Sequence, residues 1–153
     1  MISQEKYLYR TIDLFLNILN VRHTNYFLKH FISQYPYANS LYGISALLSK
    51  FGISNECFEV ESNDFIFDLT CPFLTYKENT LILILEFLDR EKIKIFTEGR
   101  FEIISIDSFC KGWNFICLTA QVSSNSIEPR YRLNRIKEFK FRVFVILSLL
   151  FLI

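Results

Sequence analysis

The chain has little of what most specialised protein classes require. Three prolines and four glycines in 153 residues exclude collagen-like and low-complexity architectures, which are built on those residues. There are only two histidines, His23 and His30, and the four cysteines, Cys57, Cys71, Cys110 and Cys117, form no C-x-x-C. Zinc sites draw on paired ligands a few residues apart, so no metal and no cofactor is expected. Charge of one sign is scarce as well. Seventeen basic side chains face 16 acidic ones, so the chain lacks the positive excess of a general nucleic-acid binder. Near the start, Glu5, Lys6 and Arg10 interrupt any apolar stretch of the signal-peptide kind. The expectation is a reducing compartment in which the four thiols stay unpaired and buried as small hydrophobes.

What the chain does have is apolar surface. Hydrophobic residues make up 51% of it, enough to offset the entropy of ordering and exclude a disordered chain. The length suits one domain with a modest core.

The period of the apolar residues changes midway. Leu8, Ile12, Phe15, Leu16 and Leu19 recur at helical spacing between Tyr7 and Leu19. Thr24 can cap a second helix carrying Phe27, Leu28, Phe31 and Ile32, which Pro36 ends. Ser40 caps a third, with Leu41, Ile44, Leu47, Leu48 and Phe51 on one face and Gly52 closing it. The two histidines are expected as partly exposed helix residues. Beyond Gly52 the pattern becomes that of strands: Cys57–Val60, Phe73–Tyr76, Thr80–Leu88, Lys92–Phe96, Arg100–Ile104 and Phe115–Gln121, with turns at Lys77-Glu78-Asn79 and Thr97-Glu98-Gly99. A helical turn is expected near Ser62–Leu69. A short helix is expected over Ser105–Trp113, with Phe109 and Trp113 spaced i, i+4. Helices first and an antiparallel sheet second make the fold class α+β.

The C-terminal part differs in kind. Val122–Glu128 reads as a polar linker. Arg130, Arg132, Arg135, Lys137, Lys140 and Arg142 then crowd together ahead of Val143–Ile153, in which Ser148 is the single polar residue. The net charge of +1 is thus the sum of two unlike parts, −3 over residues 1–127 and +4 over residues 128–153. A surface helix keeps a polar face, and this run has almost none. The expected organisation is a soluble domain over residues 1–121, a linker over 122–128, and a basic juxtamembrane stretch over 129–153 that starts a transmembrane helix. Basic residues flank the cytoplasmic end of such spans, which would leave residues 1–127 on the cytoplasmic side of the membrane. A basic helix lying on the membrane is the other membrane reading. A buried C-terminal helix or strand is the plain one.

Several phrases in the middle of the chain resemble a known family. Tyr35-Pro36-Tyr37-Ala38-Asn39-Ser40-Leu41 runs on through Leu48 to Gly52-Ile53. Cys71-Pro72-Phe73-Leu74 follows, and then Phe109-Cys110-Lys111-Gly112-Trp113 through Leu118. Their order and spacing over residues 20–121 resemble the bacteriocin-processing, double-glycine-leader cysteine peptidase domain. The resemblance implies a papain-like fold with N-terminal helices packed on an antiparallel sheet. It also implies a catalytic Cys opening the first core helix, a His before a central strand, and an Asp after the next strand. This chain departs at all three places. No cysteine precedes Cys57, Asn79 and Thr80 stand before Leu81–Leu85, and Phe96-Thr97-Glu98 follows the next strand. No catalytic residue is therefore assigned.

The resemblance implies a catalytically inactive peptidase-like domain that binds a peptide or a protein partner segment and attaches to the membrane through its C-terminal helix. Degenerate domains of this type precede either an ATP-binding-cassette exporter or a membrane oxidoreductase of the vitamin K epoxide reductase type. Glu128-Pro129-Arg130-Tyr131 resembles the junction in both. The alternatives are an active bacteriocin leader peptidase or the N-terminal part of such an oxidoreductase or peptide exporter. By position, the groove would lie near the start of the Asn79–Leu81 strand and the residues before the Ser40 helix. Asn79, Thr80, Tyr35 and Trp113 are the groove candidates.

Overall fold

The computed structural model describes residues 2–150. Three helices come first: α1 (Ile2–Ile18), α2 (Asn25–Gln34) and α3 (Leu41–Lys50). Both expected caps form. The Thr24 hydroxyl accepts from the Phe27 amide at 3.2 Å, and the Ser40 hydroxyl accepts from the Gly43 amide at 3.0 Å. Each satisfies an amide that the first helical turn would otherwise leave without a partner. At the far end of α3, Gly52 takes φ +69°, the left-handed conformation that closes a helix at little cost for glycine.

Six antiparallel strands follow: β1 (Ser54–Glu59), β2 (Phe73–Lys77), β3 (Thr80–Phe87), β4 (Lys92–Thr97), β5 (Arg100–Ser105) and β6 (Trp113–Gln121). In space they run β1-β6-β2-β3-β4-β5. A 3-10 turn (Asn63–Asp68) lies between β1 and β2, and the short α4 (Ile106–Cys110) between β5 and β6. The hairpin turns Glu78-Asn79 and Glu98-Gly99 have positive φ at both central residues. That geometry matches the right-handed twist of the flanking strands.

The sheet is covered on both faces, and strand alternation sorts the side chains between them. Leu74, Leu81, Leu83, Phe96 and Leu118 face the helices and join Ile12, Phe15, Leu16, Leu28, Leu47 and Leu48 in one core. Phe73, Ile82, Ile84, Ile93, Ile95 and Cys117 point the other way, into a second core with Ile66, Phe109 and Trp113. Double coverage is why β3 reads as an unbroken apolar run rather than an alternating one. Each fully buried Leu, Ile or Phe contributes roughly 1.5–3 kcal/mol relative to exposure.

The short helix near residue 106 ends sooner than its spacing suggests. Gly112 at φ +79° turns the chain, so Trp113 opens β6 instead of closing α4. The Phe109 and Trp113 rings still meet, at 5.0 Å.

Residues 122–128 are pinned rather than loose. The Ser126 hydroxyl donates to the Gly52 carbonyl, the Ile127 amide to Phe51 and the Glu128 amide to Arg22. Glu128 is 1% exposed. Its carboxylate accepts from the Thr24 amide, from the Thr24 hydroxyl at 3.0 Å and from the Asn134 amide at 2.7 Å.

Asn134 belongs to α5 (Tyr131–Leu150), which packs on α2. The expected transmembrane start takes a different form here. No helix among the described residues is long and apolar enough to cross a membrane. The charges continue to Arg142, so only the second part of α5 is apolar. The end of the apolar run, residues 151–153, lies outside the described residues.

Candidate functional site

Two adjoining cavities open where the helices meet the sheet. The larger, about 630 Å³, has Cys57 of β1, Tyr76 of β2, Asn114 and Ile116 of β6 and the Ser40-Leu41 start of α3 in its wall. The smaller, about 310 Å³, is walled by Tyr7, Leu8 and Thr11 of α1, Thr80 and Leu81 of β3 and Glu98 of the β4–β5 turn. Gln4, Asn39 and Asn79 line both, so the three amides mark the seam between them.

The local sequence explains how each amide arrives there. Asn79 sits at φ +66° in its hairpin turn, a conformation asparagine tolerates better than most residues. Asn39 lies in the loop that Pro36 and the Ser40 cap fold against α3. The Tyr76 hydroxyl donates to Asn39 Oδ1 at 3.1 Å, tying strand to loop across the larger cavity. Burial pushes the Tyr76 phenol up to about 12, so it remains a protonated donor.

Of the groove residues expected from the sequence, Asn79 and Thr80 lie in cavity walls. Tyr35 and Trp113 line neither. Tyr35 ends α2 and stacks on Phe31 with ring centroids 4.9 Å apart. Trp113 is 4% exposed in the second core. Its indole N–H donates to the Thr75 hydroxyl at 2.7 Å, and that hydroxyl donates to the Ile116 carbonyl at 2.6 Å. Trp113 therefore packs in the second core and lines neither cavity, although its position in the family resemblance makes it a groove candidate. Asn39 lies directly before the Ser40 helix, where the groove is expected, whereas Gln4, Asn114 and Glu98 are not singled out by the sequence. Glu98 alone had a local signal, a Glu-Gly turn matching the one that presents Asn79.

The thiols and imidazoles are not brought together. Cys57 is in the wall of the larger cavity, but no histidine lines either cavity. His23 belongs to the α1–α2 connection rather than to a helix, and its ring is largely buried. One ring nitrogen is 2.8 Å from the Val21 carbonyl and the other 2.9 Å from Asp13 Oδ1. Burial pulls the His23 pKa down, but the Asp13 hydrogen bond, the Val21 carbonyl and the nearby carboxylates outweigh it and leave it raised. His30 is exposed on α2 and stacks on Tyr26. A cysteine nucleophile needs a base in hydrogen-bond reach, and the described residues hold no such pair.

All four cysteines are free. Burial raises every thiol pKa: Cys71 to about 11, Cys117 to about 12, Cys57 and Cys110 in the same direction. Because the thiolate is the reactive form, alkylation by iodoacetamide in the native state is expected to be slow at neutral pH for all four. Cys57, the one exposed thiol, should label first, and its rate should climb only above the ordinary thiol range. Mass-spectrometric quantification checks this, and fast labelling of any cysteine below that range would contradict it. No group of acidic, thiol or imidazole side chains among the described residues could hold a metal ion.

No family model matches the chain, and no curated protein matches it in sequence. Solved structures do match in fold. The peptidase domain of Streptococcus ComA, a bi-functional ABC transporter involved in quorum sensing, superposes with a TM-score of 0.64 at 11% identity, over 80% of this chain and 94% of that one. The peptidase domain of Streptococcus mutans ComA in complex with a small-molecule inhibitor aligns over 53% of this chain and 73% of its own, with a TM-score of 0.47 at 15% identity, too loose a match to carry an argument. The chain therefore has a peptidase-like α+β fold.

Proposed function

We propose that this domain holds an extended peptide or partner segment in the seam between helices and sheet without cleaving it. The observation that carries this reading is the composition of the seam. Gln4, Asn39 and Asn79 gather where the two cavities join, with Asn114 beside them. Side-chain amides both donate and accept, so they suit a peptide backbone, which offers both. Leu41 and Ile116 on one side and Leu8 and Leu81 on the other supply apolar contact for alternate side chains of an extended segment. Among the described residues no histidine stands beside Cys57 in either cavity, which supports holding over hydrolysis.

A fluorescent leader-type peptide ending in two glycines is the probe. Titrated against the full chain, it should bind saturably and be recovered intact by mass spectrometry. Ile116→Arg, which fills the larger cavity with a charge, should weaken binding at least about tenfold, or roughly 1.4 kcal/mol. Absence of saturable binding would remove the holding role, and recovery of cut peptide would restore an enzymatic one.

A further inference from the structure

Helix α5 exposes apolar surface that none of the described residues covers. Val143, Phe144, Val145, Ile146 and Leu147 are all exposed, Phe144 at 68%. At about 100° per residue, five consecutive positions cover the whole circumference of a helix. A helix apolar all round belongs in an apolar medium. Immediately before it, residues 130–142 hold six basic side chains and one carboxylate, Glu138. That carboxylate is already engaged, by Arg135 at 3.4 Å and Arg142 at 3.1 Å. Arg130, Arg132 and Lys140 remain exposed.

An apolar helix end adjoining a dense basic stretch matches an anionic bilayer, whose headgroups attract the cations while the acyl chains take the apolar side chains. A protein groove would have to supply both an apolar socket and a ring of carboxylates.

The helix is not a loose tether. Glu128 fastens its start to the cap of α2, Asn134 also donates to the Pro129 carbonyl at 3.2 Å, and the Lys137 ammonium lies 5.4 Å from the Tyr26 ring centre. Beside it, a groove of about 800 Å³ runs between α1, α2 and α5. Phe141 and Arg142 form its α5 wall, Lys6 and Lys29 face them from α1 and α2, and Glu5 and Glu138 are its carboxylates. Both lysines are exposed, so the positive surface of α5 continues onto the body of the domain.

We propose that α5 docks on an anionic lipid bilayer, with Val143–Leu147 among the acyl chains and Lys140, Lys6 and Lys29 against the headgroups. The domain is then held in one orientation instead of swinging below an anchor.

The test is flotation of the full chain with vesicles of phosphatidylcholine alone or of equal parts phosphatidylcholine and phosphatidylglycerol. Binding is expected to the mixed vesicles, to weaken with added salt, and to be lost in Phe144→Asp combined with Ile146→Asp. Lys6→Gln combined with Lys29→Gln should lower partitioning about thirtyfold, from the attraction of two cations to the anionic surface. Its thermal melt should stay at the parent value. Equal partitioning of that variant and the parent would overturn the held orientation. Equal binding to both vesicle types, or to neither, would overturn the anionic bilayer as partner. Self-association in sedimentation velocity without vesicle binding would replace the bilayer with a second copy.

Discussion

Gly43→Ala is expected to destabilise the domain by at least about 3 kcal/mol, at or beyond the upper end of ordinary overpacking costs. Gly43 lies in the first turn of α3, buried against the preceding loop. A Cβ there would stand 1.9 Å from the Tyr37 carbonyl oxygen and 2.6 Å from its carbon. Both obstacles are backbone, so no rotamer change relieves them. Alanine's better helix propensity returns about 1 kcal/mol, too little to offset the clash.

The relaxation has to push the Tyr37–Asn39 loop off α3. Asn39 would then leave the cavity seam and the Tyr76 hydrogen bond would break. Urea denaturation should show the loss, and peptide affinity should fall further than the residual folded fraction explains. Gly52→Ala is the control. Its φ of +69° is strained for alanine, but the nearest atom to the added carbon is 3.9 Å away, so the cost should be only about 1–2 kcal/mol. Equal losses at the two positions would contradict the steric account.

Glu128→Ala is expected to cost about 3 kcal/mol, because three buried donors lose their acceptor at once. The Thr24 amide and the Asn134 side-chain amide both lose the carboxylate they point at, and the Thr24 hydroxyl loses its acceptor. Two elements are affected together, the start of α2 and the docking of α5. Limited proteolysis should accordingly cut near residues 122–131 before global unfolding, and the thermal midpoint should fall. Glu128→Gln retains the size and one acceptor but places an amide against the donors, so it should fall between.

The parent also has a pH signature. Burial raises the Glu128 carboxyl pKa despite the Asn134 and Thr24 donors, which lower it. Between the ordinary value of 4.5 and the raised one, the folded chain binds more protons than the unfolded chain. This group's contribution to stability therefore falls as pH rises through that window. Glu128→Gln should lack that component, and a difference melt between parent and variant across mildly acidic pH measures it.

Glu128 also shows where the sequence stopped being informative. Its neighbours are Ser, Asn and Ile on one side and Pro and Arg on the other, a composition that reads as solvated linker. Its partner Thr24 is 104 residues away, and local composition carries no signal for such a contact. The same limit applies to Trp113. The i, i+4 spacing from Phe109 is genuine, but it arises from a turn at Gly112 and not from a continuous helix.

The helices and strands themselves were legible because their cause is local. Caps at Thr24 and Ser40, the Gly52 stop, and turn residues at 78–79 and 98–99 all act within a few residues. The cleft was legible only as a position between elements. Asn79 and Thr80 came from the strand they precede, whereas Gln4 and Asn114 meet them through tertiary packing alone.

The strand order also fixes when each part of the sheet can assemble. β2 to β5 form a meander in which each strand pairs with the next, so these ladders close short loops. β1 pairs with β6, Ser54 opposite Gln121, and β6 is the last strand made. An edge that leaves the ribosome first among the strands is thus the last to gain a partner, and its closure carries the long-loop entropy that slows folding. Until then α3, which packs on β1, must be held by the other helices, and the seam that contains Asn39 and Cys57 has no floor.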